Sequence, residues 1–201
     1  MKPRLDPRVF LALPISRTVQ GRIGAIQEDL KQYLTSWHFI PPINLHVTLR
    51  FFGEVPESKV SHIDAICQEL APTLPPLTVS WDRLDFFGTP KAARVLFIAA
   101  GDCPELKELA RRIRDVFPDK EVRKSFRPHV TIAKARQHLN PNAARMNANM
   151  LRRLAEHGRI GPQSIEVDFT TVHRDFVMLE TIWVGRGVEY EVRARYQMGG
   201  G

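Results

Sequence analysis

One short motif occurs twice in this chain and constrains its fold more than any other feature. The tetrapeptide His-Val-Thr-Leu at residues 46–49 recurs as His-Val-Thr-Ile at residues 129–132. The two copies lie too far apart for a solenoid, whose repeats span roughly 20–50 residues. The repetition therefore predicts two related halves, each of which contributes one strand with the same pattern.

Each copy of the motif has a polar face and an apolar face, because side chains alternate along a β-strand. His46 and Thr48 share one face of the first strand, and His129 and Thr131 share the corresponding face of the second. An imidazole and a hydroxyl two residues apart are separated by about 7 Å along a strand, so both can reach one phosphate-sized group. Strict alternation also predicts that Arg50 reaches the same cleft or its rim.

Two such strands on opposite walls of a cleft suit the cleavage of a phosphodiester. A neutral imidazole takes a proton from water and a protonated imidazole gives one to the leaving oxygen, and a His pKa near 6.5 allows both states near neutral pH. Threonine hydroxyls can hydrogen-bond the non-bridging oxygens. This chemistry needs no metal, and the sequence contains neither an HExxH motif nor a Cys/His cluster with zinc spacing. A lone His-x-Thr pattern is usually structural; the second copy is what favours a paired site.

The composition is that of an ordinary globular protein, with 43% hydrophobic and 25% charged residues among 201. No apolar run approaches the ~20 residues of a membrane-spanning helix. The apolar patch at residues 9–13 is too short for a signal-peptide core. We therefore expect a cytoplasmic protein in which Cys67 and Cys103 are reduced thiols, with residues 199–201 as an unstructured glycine tail.

The charge balance favours a partner that carries phosphate. Lys and Arg total 29 against 22 Asp and Glu, a net charge of +7. Arg127 and Lys134 flank the second motif and are candidates for contact with phosphate. The basic residues of the predicted helices are interpreted as solvated faces.

The other histidines give weaker signals. Five of them have no threonine two residues later and are predicted to lie mostly at the surface: His38, His62, His138, His157 and His173. His38 stands between Trp37 and Phe39, and an aromatic residue at this position can stack on a nucleobase. Core packing or a place in a lid is the more frequent role for aromatic residues such as Trp37 and Phe39.

The remaining pattern predicts an α+β protein with antiparallel sheets, because strands occur in pairs between helices. Residues 37–43 are predicted as a proline-rich connection. Strands are predicted at residues 8–13, 45–52, 77–86, 93–99, 128–133, 165–169, 172–179 and 189–196. Helices are predicted from Ser16 or Thr18 to about residue 33, from residues 56–58 to residue 70, and over residues 104–117 and 141–157.

The chain resembles the 2H (two-histidine) phosphoesterase superfamily, and within it the RNA 2′,3′-cyclic phosphodiesterases, also called 2′-5′ RNA ligases. Residues 44–53 (NLHVTLRFFG) match the first family motif, and residues 126–133 (FRPHVTIA) match the second. The N-terminal strand and residues 187–190 are also similar, so the resemblance covers nearly the whole chain. Lys134 stands where bacterial and archaeal members usually carry arginine, which keeps the charge but loses the bidentate fork. The helical insert at residues 141–157 is also less typical.

The resemblance implies one bilobal domain over residues 1–198, with two pseudo-symmetric antiparallel-sheet lobes, helices on the outside and a central cleft. It implies that His46 and His129 form the catalytic pair, with His129 as base and His46 as acid. It also implies that Thr48 and Thr131 bind the phosphate.

The implied function is hydrolysis of RNA 2′,3′-cyclic phosphate ends, such as those of tRNA fragments, to a 2′-phosphate without metal or cofactor. Reversible 2′-5′ ligation is implied as a second activity, and we expect a monomer. One alternative is a phosphodiesterase for a small metabolite such as ADP-ribose cyclic phosphate. Another is a non-catalytic RNA-binding module, but binding alone does not need two titratable imidazoles.

Overall fold

The segments with helical or alternating apolar spacing form nine strands and four α-helices within the described residues. The computed structural model describes residues 6–118, 125–136, 141–158, 165–185 and 187–199. The elements are β1 (Arg8–Pro14), α1 (Arg17–Lys31), β2 (Trp37–Phe39), β3 (His46–Glu54), α2 (Glu57–Leu70), β4 (Leu77–Phe87), β5 (Val95–Ala100), α3 (Pro104–Val116), β6 (His129–Ala135), α4 (Pro141–His157), β7 (Phe169–His173), β8 (Asp175–Val184) and β9 (Gly187–Gln197). The short 3-10 turns Pro42–Asn44 and Ala71–Thr73 precede β3 and β4.

The strands form two antiparallel sheets, which confirms the predicted α+β class. The first sheet has the order β3-β1-β8-β9 and the second has the order β2-β6-β5-β4-β7. The two His-x-Thr strands, β3 and β6, belong to different sheets and contact each other where the sheets meet. The repeated motif is therefore brought together from two halves of the sequence.

Burial of the apolar motif residues orients the polar ones. Val47, Leu49, Val130 and Ile132 all lie in one continuous core that both sheets share. Their alternation with polar residues leaves the histidines and threonines of both motifs only half-buried on the other face. The hydrophobic effect on one face of each strand thus fixes where the imidazoles lie.

A short strand lies where the sequence predicts a connection. In β2, Trp37 pairs with Ala135 and Phe39 pairs with Ala133. The Trp37 side chain is buried in the core, which ties β2 to the edge of the second sheet. The burial of Trp37 leaves it unable to stack on a base, whereas His38 between the two aromatics is exposed.

The prediction of a strand at residues 165–169 is wrong. β7 covers Phe169–His173, and the next strand extends to Val184, well past the predicted end. The buried positions of β7 are Phe169, Thr171 and His173. Two of the three inward-facing side chains are polar, and apolar periodicity cannot find such a strand.

The surface prediction is also wrong for His173, which is buried. The indole Nε1–H of Trp81 donates to the Thr171 hydroxyl over 2.9 Å, and that hydroxyl lies 2.8 Å from His173 Nε2. The Thr171 hydroxyl oxygen therefore accepts from the indole and shares a second hydrogen bond with His173, whose direction depends on the imidazole tautomer. These bonds satisfy the imidazole inside the core, and burial lowers the pKa of His173 to about 4.

The structure also describes two further histidines and both cysteines. His62 and His157 are exposed as predicted, and His138 lies outside the described residues. Cys67 and Cys103 are both free thiols, and both are buried. Residues 200 and 201 of the predicted tail are outside the described part of the chain. No helix of the described residues has the length and apolar content to cross a bilayer.

Candidate active site

The His46 imidazole is held in one tautomer. Its Nδ1 lies 2.8 Å from the backbone oxygen of Asn44, and its Nε2 lies 3.1 Å from the Thr48 hydroxyl oxygen. A carbonyl oxygen only accepts, so Nδ1 carries the proton and donates it. Nε2 is then the nitrogen that can accept or deliver a proton, beside the threonine of the motif.

The His129 imidazole has the same arrangement in the second sheet. Its Nδ1 donates to the backbone oxygen of Arg127 over 2.8 Å. In both motifs the acceptor is the carbonyl two residues before the histidine. The repeated sequence thus produces a repeated tautomer, with Nε2 available for proton transfer in each half.

Two aromatic rings flank each imidazole. The His46 ring centroid lies 5.0 Å from that of Phe10 and 5.1 Å from that of Tyr190. The His129 centroid lies 4.9 Å from Phe87 and 5.3 Å from Phe97. Most of these contacts are edge-on, and they limit rotation of both imidazoles.

Burial among these rings lowers the pKa of both histidines. The pKa of His46 falls to about 4, mainly through desolvation, although the Asn44 carbonyl partly opposes the fall. The nearby charges of His129 and Lys134 lower it further. Desolvation also lowers the pKa of His129, and the Arg127 carbonyl again opposes it. Both imidazoles are therefore mainly neutral at pH 7, and an anion bound between them would raise both pKa values.

A cavity of about 330 Å³, here called the central cavity, adjoins both motifs. It contains four of the six predicted site residues, namely His46, Thr48, Thr131 and Lys134. The described residues of its wall are Arg8, Phe10, Ile40, Asn44, His46, Thr48, Phe51, Thr131, Lys134, Thr181, Trp183, Val188 and Tyr190. His129 lies beside it on β6, two residues before Thr131, close enough that protonation of His129 lowers the pKa of His46.

Arg127 is engaged outside this wall. Its guanidinium forms an ion pair with Asp85 and lies 4.8 Å from the ring centroid of Phe97 and 5.6 Å from that of Phe87. These contacts leave its backbone oxygen facing His129. The predicted contact of Arg127 with phosphate stays a prediction, and the structure gives this residue a different set of partners.

Arg50 is not among the described wall residues of the central cavity, because the alternation of β3 is interrupted. In the pairing of β1 with β3, Ala12 lies opposite Thr48, and the next pair is Leu11 opposite Arg50. Residue 49 of β3 is therefore an extra residue, which forms a bulge. An extra residue reverses the inward and outward faces beyond it. Phe51 consequently lines the central cavity, and the Arg50 guanidinium lies 5.8 Å from the ring centroid of Phe52.

Several cavity residues were not found from the sequence. Arg8 and Phe10 come from β1, Thr181 and Trp183 from β8, and Tyr190 from β9. They converge because β8 pairs with both β1 and β9 within the first sheet, and neither residue spacing nor alternation marks them as site residues. No group of three or more His, Cys, Asp or Glu within the described ranges is arranged to hold a metal ion.

Comparisons with known sequences identify relatives of this chain. A sequence profile described as the 2′-5′ RNA ligase superfamily matches residues 15–161. The Archaeoglobus fulgidus protein named RNA 2′,3′-cyclic phosphodiesterase is 28% identical over 139 residues, which cover 68% of this chain and 77% of that protein. The protein of the same name from Methanothermobacter thermautotrophicus is 27% identical over 131 residues, which cover 64% and 71%.

Solved structures share the fold. A protein from Thermus thermophilus superimposes with a TM-score of 0.74 at 21% identity, covering 96% of this chain and 98% of that chain. Escherichia coli LigT, solved with NADP+, gives a TM-score of 0.71 at 17% identity, covering 98% and 99%. The profile spans both His-x-Thr strands and most of the chain. The chain therefore belongs to the 2′-5′ RNA ligase superfamily.

Proposed function

We propose that this protein hydrolyses the 2′,3′-cyclic phosphate at the end of an RNA strand, leaving a 2′-phosphate, with His46 and His129 as the acid–base pair. The observation that carries the proposal is the shared tautomer, in which each Nδ1 is bonded to a carbonyl and each Nε2 is left for proton transfer. Curated relatives at 23–28% identity carry the name of this activity.

In the proposed reaction, neutral His129 takes a proton from a water molecule as its oxygen bonds to phosphorus. The bond from phosphorus to the ribose 3′ oxygen breaks, and protonated His46 gives that oxygen a proton. The product carries the phosphate on the 2′ oxygen. Exchange of one proton with solvent at each imidazole restores the starting state.

This assignment requires that substrate binding raise the pKa of His46. In the free protein the pKa is about 4, so few molecules carry His46 in its acid form at pH 7. The cyclic phosphate is an anion, and an opposite charge within about 4–6 Å favours the protonated imidazole. The substrate would thus help to create the acid that its own leaving group needs.

The phosphate is proposed to bind to three side chains of the central cavity wall. The hydroxyls of Thr48 and Thr131 donate to its non-bridging oxygens, and the Lys134 ammonium balances the charge that develops on them. Arg127 is proposed to act through its carbonyl on His129, because its guanidinium is already paired with Asp85.

The same groups account for 2′-5′ ligation as a second activity. If a 5′-hydroxyl of a second RNA replaces water, the base takes its proton and the same 3′ oxygen leaves. The product is then a 2′-5′ phosphodiester. Hydrolysis dominates wherever water outcompetes the second RNA.

The test is a digestion of a cyclic-phosphate-ended oligonucleotide in excess EDTA, with the product compared with authentic 2′- and 3′-phosphates. We expect the 2′-phosphate alone, at a rate that EDTA does not change. A 3′-phosphate product would contradict the proposed regiochemistry. Loss of activity with EDTA that added metal restores would contradict the two-histidine mechanism. Turnover of ADP-ribose cyclic phosphate but of no RNA end would favour the metabolite alternative.

A further inference from the structure

A second cavity adjoins the central one, and we call it the side cavity. Its volume is about 390 Å³. The two share the wall residues Ile40, Asn44, Lys134, Val188 and Tyr190. The rest of the side cavity is formed by His38, Pro41, Ile43, Val184, Gly187 and Glu189. The proposed catalytic residues do not line it, so it offers binding space next to the reacting group.

Exposed apolar side chains stand at the side cavity and its border. Ile43 is 71% exposed and Val184 is 49% exposed, although both are fully apolar. Trp183, the neighbour of Val184 in β8, is 73% exposed and lines the central cavity. Single exposed apolar residues are common, but three that converge on adjoining cavities offer a surface for a flat apolar group such as a nucleobase.

Lys134 stands at the boundary, because it belongs to both walls. It pairs in register with His38, which places the side cavity at the junction of β2 and β6. A cation between two compartments suits the phosphate that links two nucleosides. Among the described residues of the side cavity wall, Glu189 is the one carboxylate, and it suits a base N–H or a ribose hydroxyl rather than a second phosphate.

The shared wall is held in place by Asn44. Its side-chain amide donates to the backbone oxygen of Val188 over 2.7 Å, which joins the turn before β3 to β9. The backbone oxygen of the same residue accepts from His46. The side cavity is therefore built before any ligand binds, and it is fixed relative to the His46 imidazole.

From this continuity we infer that the side cavity binds the nucleoside preceding the cyclic-phosphate nucleotide, with Lys134 between the cyclic phosphate and the phosphodiester that links the two nucleosides. The inference rests on the proposed function and adds a preference to it. RNA ends of two or more nucleotides are better substrates than cyclic mononucleotides, because only they fill both cavities.

The experiment compares kcat/KM for a cyclic mononucleotide and for a dinucleotide that ends in the same cyclic phosphate. We expect a dinucleotide-to-mononucleotide ratio of about ten or more in the unmodified protein, as one stacked base contributes. Ile43→Asp and Val184→Asp should bring the ratio close to one. The matched control is Val172→Asp on β7 of the second sheet, where Val172 is 61% exposed, and it should keep the ratio.

A ratio needs no correction for the folded fraction, since both substrates are tested on the same preparation. A ratio near one in the unmodified protein would overturn the inference while leaving the proposed function in place. A high ratio that Ile43→Asp and Val184→Asp leave unchanged would also overturn it, because the second nucleoside would then bind elsewhere. Failure to hydrolyse either substrate would defeat the proposed function and the inference together.

Discussion

The surroundings of His46, here called the first half-site, and those of His129, the second half-site, hold the same imidazole tautomer through different supporting contacts. In the first half-site, the residue whose carbonyl accepts from His46 is Asn44, which is 7% exposed and anchored by a neutral hydrogen bond to Val188. In the second, the corresponding residue is Arg127, whose half-exposed guanidinium is anchored by an ion pair with Asp85. One anchor is buried and uncharged, and the other is charged and near solvent.

The difference teaches that the repeated sequence encodes the strand and not its support. The His-x-Thr pattern places an imidazole and a hydroxyl on one face in each half. The side chains that immobilise each histidine come from β1 and β9 in the first sheet and from β4 and β5 in the second. Each half therefore reaches the same imidazole geometry through its own packing. Substitutions of the imidazoles and of their anchors test this comparison.

The largest effect is expected from the imidazoles themselves. His46→Ala and His129→Ala should each slow turnover by about 10²–10⁴, the usual contribution of one acid–base group. That loss corresponds to about 3–5 kcal/mol of activation free energy. The double variant should lose far less than the product of the two, because the residues act as a unit. Steady-state kinetics on a cyclic-phosphate oligonucleotide measures this, and full activity in either single variant would contradict the pairing.

A third His–Thr pair shows what the same chemistry does without a cavity. His173 is buried with a pKa of about 4, against about 6.5 in the unfolded chain. The folded pKa is the lower one, so the stabilisation is complete above about pH 6.5 and is lost as the pH falls toward 4. The loss amounts to about 3 kcal/mol of the free energy of unfolding.

The measurement is urea unfolding between pH 4 and pH 8. His173→Gln should reduce the slope of the unfolding free energy against pH by about one proton between pH 4 and 6.5. The matched variant of an exposed histidine, His62→Gln, should leave the slope as it is. An unchanged slope in His173→Gln would show that His173 does not carry the acid sensitivity.

The two anchors should differ in their contribution to stability. Asn44→Ala removes a partly buried hydrogen bond and leaves the Val188 carbonyl without it, at a cost of about 1–3 kcal/mol. Arg127→Ala removes a half-exposed ion pair and the guanidinium contacts with the rings of Phe87 and Phe97, each of which contributes about 1 kcal/mol or less. Equilibrium unfolding in urea compares them directly. An Arg127→Ala loss larger than that of Asn44→Ala would reverse the proposed ranking of the anchors.

The smallest expected effect is a difference in how ionic strength changes the destabilisation caused by Arg127→Ala and by Asn44→Ala. The exposed Arg127–Asp85 pair is screened as ionic strength rises, whereas the Asn44–Val188 bond carries no charge. The destabilisation by Arg127→Ala should therefore shrink in 1 M salt while that by Asn44→Ala stays constant. If ionic strength changes the two losses of unfolding free energy equally, the Arg127–Asp85 charge pair does not stabilise the second half-site.

The repeated motif and the spacing of apolar residues were enough to predict the two motif strands, four of the central cavity residues and the fold class. It failed for Phe51, because a bulge set by pairing with β1 reverses the face of β3. It failed for Tyr190 and Trp183, which reach the cavity only through the order of strands in the first sheet. It also failed for His173, whose polar neighbours satisfy it inside the core. Each failure comes from a tertiary contact that no short segment encodes.

The central claim is that two equivalently held imidazoles perform opposite proton transfers. The most direct measurement is the activity of His46→Ala and His129→Ala on a cyclic-phosphate oligonucleotide and on bis(para-nitrophenyl) phosphate. Nitrophenolate departs without protonation, so a missing acid matters little for the second substrate. The account predicts that His46→Ala recovers most of the unmodified protein's rate on the nitrophenyl diester, whereas His129→Ala stays slow on both. Equal deficits of both variants on both substrates, or recovery of His129→Ala instead, would contradict it.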